Sequence, residues 1–205
     1  AQMRAVMDDI GDDVVKTGML HSTAEIEAVS QELDAREGLK LVVDPVMVAT
    51  SGDPLLEDDA MIALRNLLVP AATILTPNMP EAARLTGRPV DTLEDQKRAG
   101  DALIGLGPSA VLVKGGHGQG PDVHDVLVTQ ESIEVMSSPR IESIHTHGTG
   151  CTLASAIAAL LSHGLEMREA VSIARDYVHE AIITAPGFGK GHGPLNHMHP
   201  FQREE

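Results

Sequence analysis

Aromatic side chains are almost missing from this 205-residue chain, which has no tryptophan, one tyrosine and two phenylalanines. Tyr177, Phe188 and Phe201 complete the set. A packed core must therefore be aliphatic, and the stacking platforms that bind nucleic-acid bases are disfavoured. Cysteine is nearly missing too: Cys151 is the only one, so no internal disulfide can form, which fits a reducing, cytoplasmic setting. No run approaches the roughly 20 apolar residues that span a bilayer. Basic residues are outnumbered, 15 Lys and Arg against 30 Asp and Glu, for a formal net charge of -15. Such a chain repels phosphate backbones, so neither nucleic acid nor membrane is an expected partner. A small phosphorylated ligand stays open, because a local site can be basic or bridged by Mg²⁺.

What remains is a hydrophobic fraction of 42%, enough for a substantial core. The pattern alternates. Helical periodicity covers Thr23 to Arg36, with Thr23 as the expected N-cap, and returns over Glu57 to Leu68, Pro80 to Leu85 and Leu93 to Leu106. Between these lie short apolar runs, Leu39 to Val43, Thr73 to Leu75 and Ala110 to Val113, which read as strands covered on both faces. His124 to Thr129 and Ser132 to Met136 read as a hairpin turning at Gln130-Glu131, and two helices follow, Thr152 to Ser162 and Arg168 to Thr184. Strand–helix alternation implies right-handed crossovers and parallel pairing. The expected class is α/β, a three-layer α/β/α sandwich on a mostly parallel sheet. Ligands of such sheets bind beyond the carboxyl ends of the strands.

Each expected strand ends in polar or Gly/Pro punctuation. Asp44 precedes Pro45; it could hold Mg²⁺ through water or simply start a turn. Asn78 and Glu81, three residues apart, could face one hydrated cation or form the capping box of a helix. Lys114 precedes Gly115-Gly116-His117-Gly118, where it could reach a phosphate or remain a solvated loop residue. The richest segment is His145-Thr146-His147-Gly148-Thr149-Gly150-Cys151, a Gly-rich turn leading into a small-residue helix. A helix start offers unpaired N–H groups and a positive dipole end, so this turn reads as an anion site. Cys151 there is a candidate base or nucleophile with a lowered pKa, or else a small buried hydrophobe. His192, His197 and His199 match no zinc spacing and read as a solvated or packing tail.

Taken in order, these stretches resemble the ribokinase-like superfamily, and within it the hydroxymethylpyrimidine/phosphomethylpyrimidine kinases of thiamine biosynthesis. The resemblance is carried by Lys16-Thr17-Gly18-Met19-Leu20, Asp44-Pro45-Val46-Met47, Ser51-Gly52-Asp53-Pro54-Leu55-Leu56 and Thr76-Pro77-Asn78-Met79-Pro80-Glu81-Ala82. It continues through Lys114-Gly115-Gly116-His117, the turn at His145 to Thr152, and Gly191-His192-Gly193-Pro194-Leu195-Asn196-His197. It implies a homodimeric ATP- and Mg²⁺-dependent kinase acting on 4-amino-5-hydroxymethyl-2-methylpyrimidine and on its monophosphate. By position, Gly148, Thr149, Gly150 and Cys151 would form the anion hole and Lys114 would contact ATP phosphates. Asn78, Glu81 and Asp44 would organise Mg²⁺ and its waters. Met19 and Val46 would line the pyrimidine pocket. Sugar kinases and common pyridoxal kinases of the superfamily place Asp where Cys151 stands, which favours the pyrimidine branch. A pyridoxal, pyridoxine or dual-specificity kinase is the near alternative; a non-catalytic homologue or a thiol sensor lies further off. The family also begins with a Gly-rich segment and first strand that contribute to the pocket. Residues 1–205 are thus expected to form a single kinase domain without its N-terminal segment. Either a front portion precedes residue 1, or this is a truncated product expected to be poorly stable and inactive.

Overall fold

A computed structural model describes residues 1–36, 38–48 and 55–201. The described residues form one six-stranded sheet in sequence order: β1 (Val14–Thr17), β2 (Lys40–Val43), β3 (Ile74–Leu75), β4 (Ala110–Val113), β5 (Asp122–Thr129) and β6 (Ile133–Pro139). The first four strands run parallel, and β5 and β6 turn back antiparallel. The helices are α1 (Gln2–Asp9), α2 (Thr23–Asp34), α3 (Asp58–Ala63), α4 (Met79–Thr86), α5 (Leu93–Ile104), α6 (Thr149–Ser162) and α7 (Met167–Ile183). α3 runs directly into a wide π-type turn, Leu64–Leu68.

Strand pleating splits the core. Val43, Leu75, Val111 and Val113 pack into a cluster with Ile26, Leu68, Leu85 and Leu103 from the first helices. Their neighbours Val42, Ile74, Ala110 and Leu112 face the other way, against Leu153, Ile157, Val171 and Val178 of α6 and α7. The buried members of both clusters include no aromatic side chain; Tyr177 packs at the margin of the second. Each buried Val, Leu or Ile side chain stabilises the fold by about 1.5–3 kcal/mol.

The sandwich and the hairpin follow the sequence pattern, with three differences. α1 and β1 carry too little apolar signal to read: α1 buries only Met7 and has no side-chain cap, and β1 is four residues long with two of them polar. The parallel part therefore has four strands rather than three. α2 is capped by Ser22, not Thr23: the Ser22 hydroxyl accepts the Glu25 N–H and Glu25 reaches back to the Ser22 N–H, a capping box that outranks a lone Thr. α6 begins at Thr149, so Thr149, Gly150 and Cys151 are its first turn rather than the turn before it. Gly148 is its N-cap at φ 83°, left-handed backbone that favours glycine.

Candidate active site at the carboxyl edge of the sheet

The four parallel strands end on one edge, and the ladder extends past them. Asp44 N–H donates to Thr17 O (3.1 Å), Thr76 N–H to Val43 O (2.9 Å) and Lys114 N–H to Pro77 O (2.8 Å). These bonds fix the backbone of three residues whose side chains meet. Asp44 is 1% exposed. Lys114 Nζ lies 3.0 Å from Asp44 Oδ1 and 4.0 Å from Glu81 Oε2. Lys16, on β1, stands on the other side, its Nζ 3.7 Å from Asp44 Oδ2. Thr76 Oγ1 reaches Asp44 Oδ1 at 3.4 Å. Asp44 Oδ2 is buried without a hydrogen-bond partner. The result is a carboxylate between two cations.

Asn78 and Glu81 do form the capping box of α4: Asn78 Oδ1 accepts the Glu81 N–H at 2.8 Å and Glu81 Oε2 accepts the Asn78 N–H at 2.7 Å. The capping reading holds, and the cap leaves Glu81 Oε2 on the side of Lys114, 4.0 Å from its Nζ. Burial pushes the Glu81 carboxyl above the ordinary range, against the pull of Lys114 and the Asn78 amide. A carboxyl with a raised folded-state pKa contributes fully below its unfolded value, and that contribution falls as pH rises through the folded value. Glu81→Gln, permanently neutral, is therefore expected to gain Tm relative to wild type between about pH 5 and about pH 8. Melts at both pH values check this; an equal Tm difference at the two would refute it.

The first turn of α6 completes the edge. A β-carbon on Gly150 would stand 3.1 Å from Lys114 Nζ, so the bare backbone there lets the lysine approach the helix start. Thr149 N–H bonds back to Thr146 O (3.3 Å) and Thr152 N–H to Gly148 O (2.9 Å), while Gly150 and Cys151 present first-turn donors without intrahelical acceptors. Cys151 is exposed and beside Asp44. Its thiol corrects an expectation: enclosure of the sulfur first, and the Asp44 charge second, push its pKa up, outweighing Lys16 and Lys114. His117 is held down by burial and by Lys114, so it is neutral near pH 7.

Met19 and Val46 follow β1 and β2 on this same edge, Met19 57% exposed and Val46 half-buried. Ser51 to Pro54 lie outside the described residues. The C-terminal histidines pack: His192 Nδ1 lies 3.1 Å from Ile144 O, Tyr177 donates to His197 O at 3.1 Å, and the His199 ring sits 4.7 Å from that of Tyr177. Pro194 pairs with His147, so the tail braces the segment before Gly148. Lys16 is the site residue that sequence reasoning passed over. Its signal was a shorter version of the Lys114 pattern, Val14-Val15-Lys16 with a glycine two residues on.

Sequence comparison with known proteins agrees on one family. The family model described as phosphomethylpyrimidine kinase matches residues 1–196. The hydroxymethylpyrimidine/phosphomethylpyrimidine kinase of Bacillus subtilis is 41% identical over 199 residues, covering 96% of this chain and 73% of that protein. Among solved structures, a Bacillus subtilis pyridoxal kinase in an ADP complex superposes with a TM-score of 0.92 at 33% identity, covering 98% of this chain and 76% of the other. A phosphomethylpyrimidine kinase from Clostridium difficile gives 0.77 at 40% identity, covering 88% and 74%. No helix among the described residues is long and apolar enough to cross a membrane.

Proposed function

The chain belongs to the phosphomethylpyrimidine kinase family and is a phosphotransferase; from that premise we propose that the sheet-edge cluster moves the γ-phosphoryl group of ATP onto the hydroxymethyl oxygen of 4-amino-5-hydroxymethyl-2-methylpyrimidine, and then onto the resulting monophosphate. The observation that carries this reading is Lys114, 3.0 Å from Asp44 and directly against Gly150 in the first turn of α6. Phosphoryl transfer needs positioning and charge neutralisation more than covalent help. Lys114 supplies a cation for the ATP phosphates. The N–H groups of Gly150 and Cys151, with Gly148 and Thr149 shaping the turn, receive the transferring group. Lys16 adds a second cation, 3.7 Å from the other oxygen of Asp44.

Mg²⁺ enters this reading with ATP. The buried, unpartnered Asp44 Oδ2 and the nearby Glu81 carboxylate suit its water shell, with the phosphates supplying other ligands. Bound there, the ion would neutralise charge on the phosphates. Asn78 acts through Glu81, which it orients. In this reading Cys151, beside Asp44 in the first turn of α6, takes the proton of the acceptor hydroxyl as a base or aligns that hydroxyl. Met19 and Val46 offer apolar surface to the pyrimidine ring. The same reading takes the enzyme as a cytoplasmic homodimer, a state that sedimentation tests.

The close superposition on a pyridoxal kinase keeps a second substrate in view. A coupled ADP-release assay with both alcohols separates the two. The pyrimidine is expected to give the higher kcat/KM by at least about tenfold. A preference for pyridoxal would overturn the pyrimidine assignment, and loss of turnover on chelating Mg²⁺ is expected with either.

A further inference from the structure

The polypeptide after Lys114 makes a short excursion, residues 115–120, before β5 begins at Asp122. Four of its six residues are glycine. Such a loop has unusual backbone freedom and should not hold one shape alone. Its root is fixed by Asp125, which accepts the Gly115 N–H at 2.7 Å and is itself held by Arg175 Nε at 2.7 Å. Its rim is fixed from elsewhere. Arg140, just past β6, donates Nε to Gly120 O (2.9 Å), Nη1 to Gly116 O (2.9 Å) and Nη2 to Gly118 O (2.8 Å). Its own N–H donates to Pro121 O at 2.7 Å. Among the described residues no carboxylate pairs with this guanidinium, so its donors are spent on the loop.

We infer that Arg140 is a positioning residue for nucleotide binding, a clamp that holds loop 115–120 in the shape the ATP phosphates meet. This rests on the reading of Lys114 as the phosphate lysine. Three features carry it. The loop leaves directly from Lys114, and the segment that bears Arg140 runs on into His145–Gly148 and the first turn of α6. One side chain therefore ties together the two excursions that flank the anion site. The planar guanidinium fork can serve three carbonyls in one plane, which a lysine ammonium cannot. With those carbonyls turned toward Arg140, the loop is ordered before nucleotide arrives, so binding is not weakened by the cost of ordering it.

The test compares Arg140→Ala and Arg140→Lys with wild type in the full chain. ATP affinity is read by calorimetry, kcat by saturating kinetics, and loop order by amide hydrogen exchange. Arg140→Ala is expected to weaken ATP binding by about tenfold or more, with kcat within about threefold and pyrimidine affinity unchanged. Exchange over 115–120 should accelerate, and added guanidinium ion should restore part of the ATP affinity. Arg140→Lys should fall between the two, and it keeps the charge should the alanine variant fold poorly. Unchanged ATP affinity with a loosened loop would overturn the inference, as would equal losses of ATP and pyrimidine affinity. Failure of the wild type to bind ATP would instead overturn the nucleotide reading beneath it.

Discussion

Cys151→Ala is expected to lower kcat by about 10²–10⁴-fold while ATP still binds with near-normal affinity. The sulfur is beside Asp44 at the first turn of α6, where the acceptor oxygen would approach the phosphoryl group. Because enclosure and Asp44 push the thiol upward, only a small fraction is thiolate at neutral pH. If that fraction is the base, kcat of the wild type rises with pH through the alkaline range, and Cys151→Ser lacks the rise. Both profiles come from a steady-state assay at saturating ATP. A flat profile with a large Cys151→Ala defect would leave alignment as the residue's role. Wild-type turnover in Cys151→Ala would remove it from the reaction.

Lys114→Ala is expected to damage both function and fold. Loss of a preorganised donor to a transferring group costs about 10²–10³-fold in rate, and here the apparent KM for ATP should rise as well. The fold suffers because Asp44, 1% exposed, would keep only the Thr76 hydroxyl and, among the described residues, a single cation, Lys16 at 3.7 Å. Removing one partner of a buried pair costs about 3–5 kcal/mol, most of it from the orphaned charge. The double variant Lys114→Ala/Asp44→Asn, which removes that charge, should regain much of the lost Tm but none of the activity. Thermal melts beside kinetics separate the two effects. Unchanged kinetics in Lys114→Ala would take it out of the phosphate site.

The parts of this edge legible in the sequence are those whose signals are local. Asp44-Pro45, Thr76-Pro77-Asn78 and Lys114-Gly115 each end an apolar run, and the parallel topology gathers strand ends automatically. The Asn78–Glu81 capping box was legible for the same reason: it is a three-residue spacing. Lys16 was not, because β1 has two apolar residues and becomes a strand only by pairing with β2. The state of Cys151 was not, because it depends first on burial and then on Asp44, more than a hundred residues away in the chain and adjacent only in the fold. The Arg140 clamp was invisible as well. Its partners are backbone carbonyls, which leave no trace in side-chain pattern.

The scarcity of aromatic residues has a practical side. Without tryptophan, ultraviolet-excited emission from this protein comes from Tyr177 alone, apart from the weak phenylalanines. That ring touches His199, and its hydroxyl donates to His197 O. The C-terminal segment that braces the approach to Gly148 thus docks against an optical reporter on α7, and a change in its docking can be followed in solution without attaching a label.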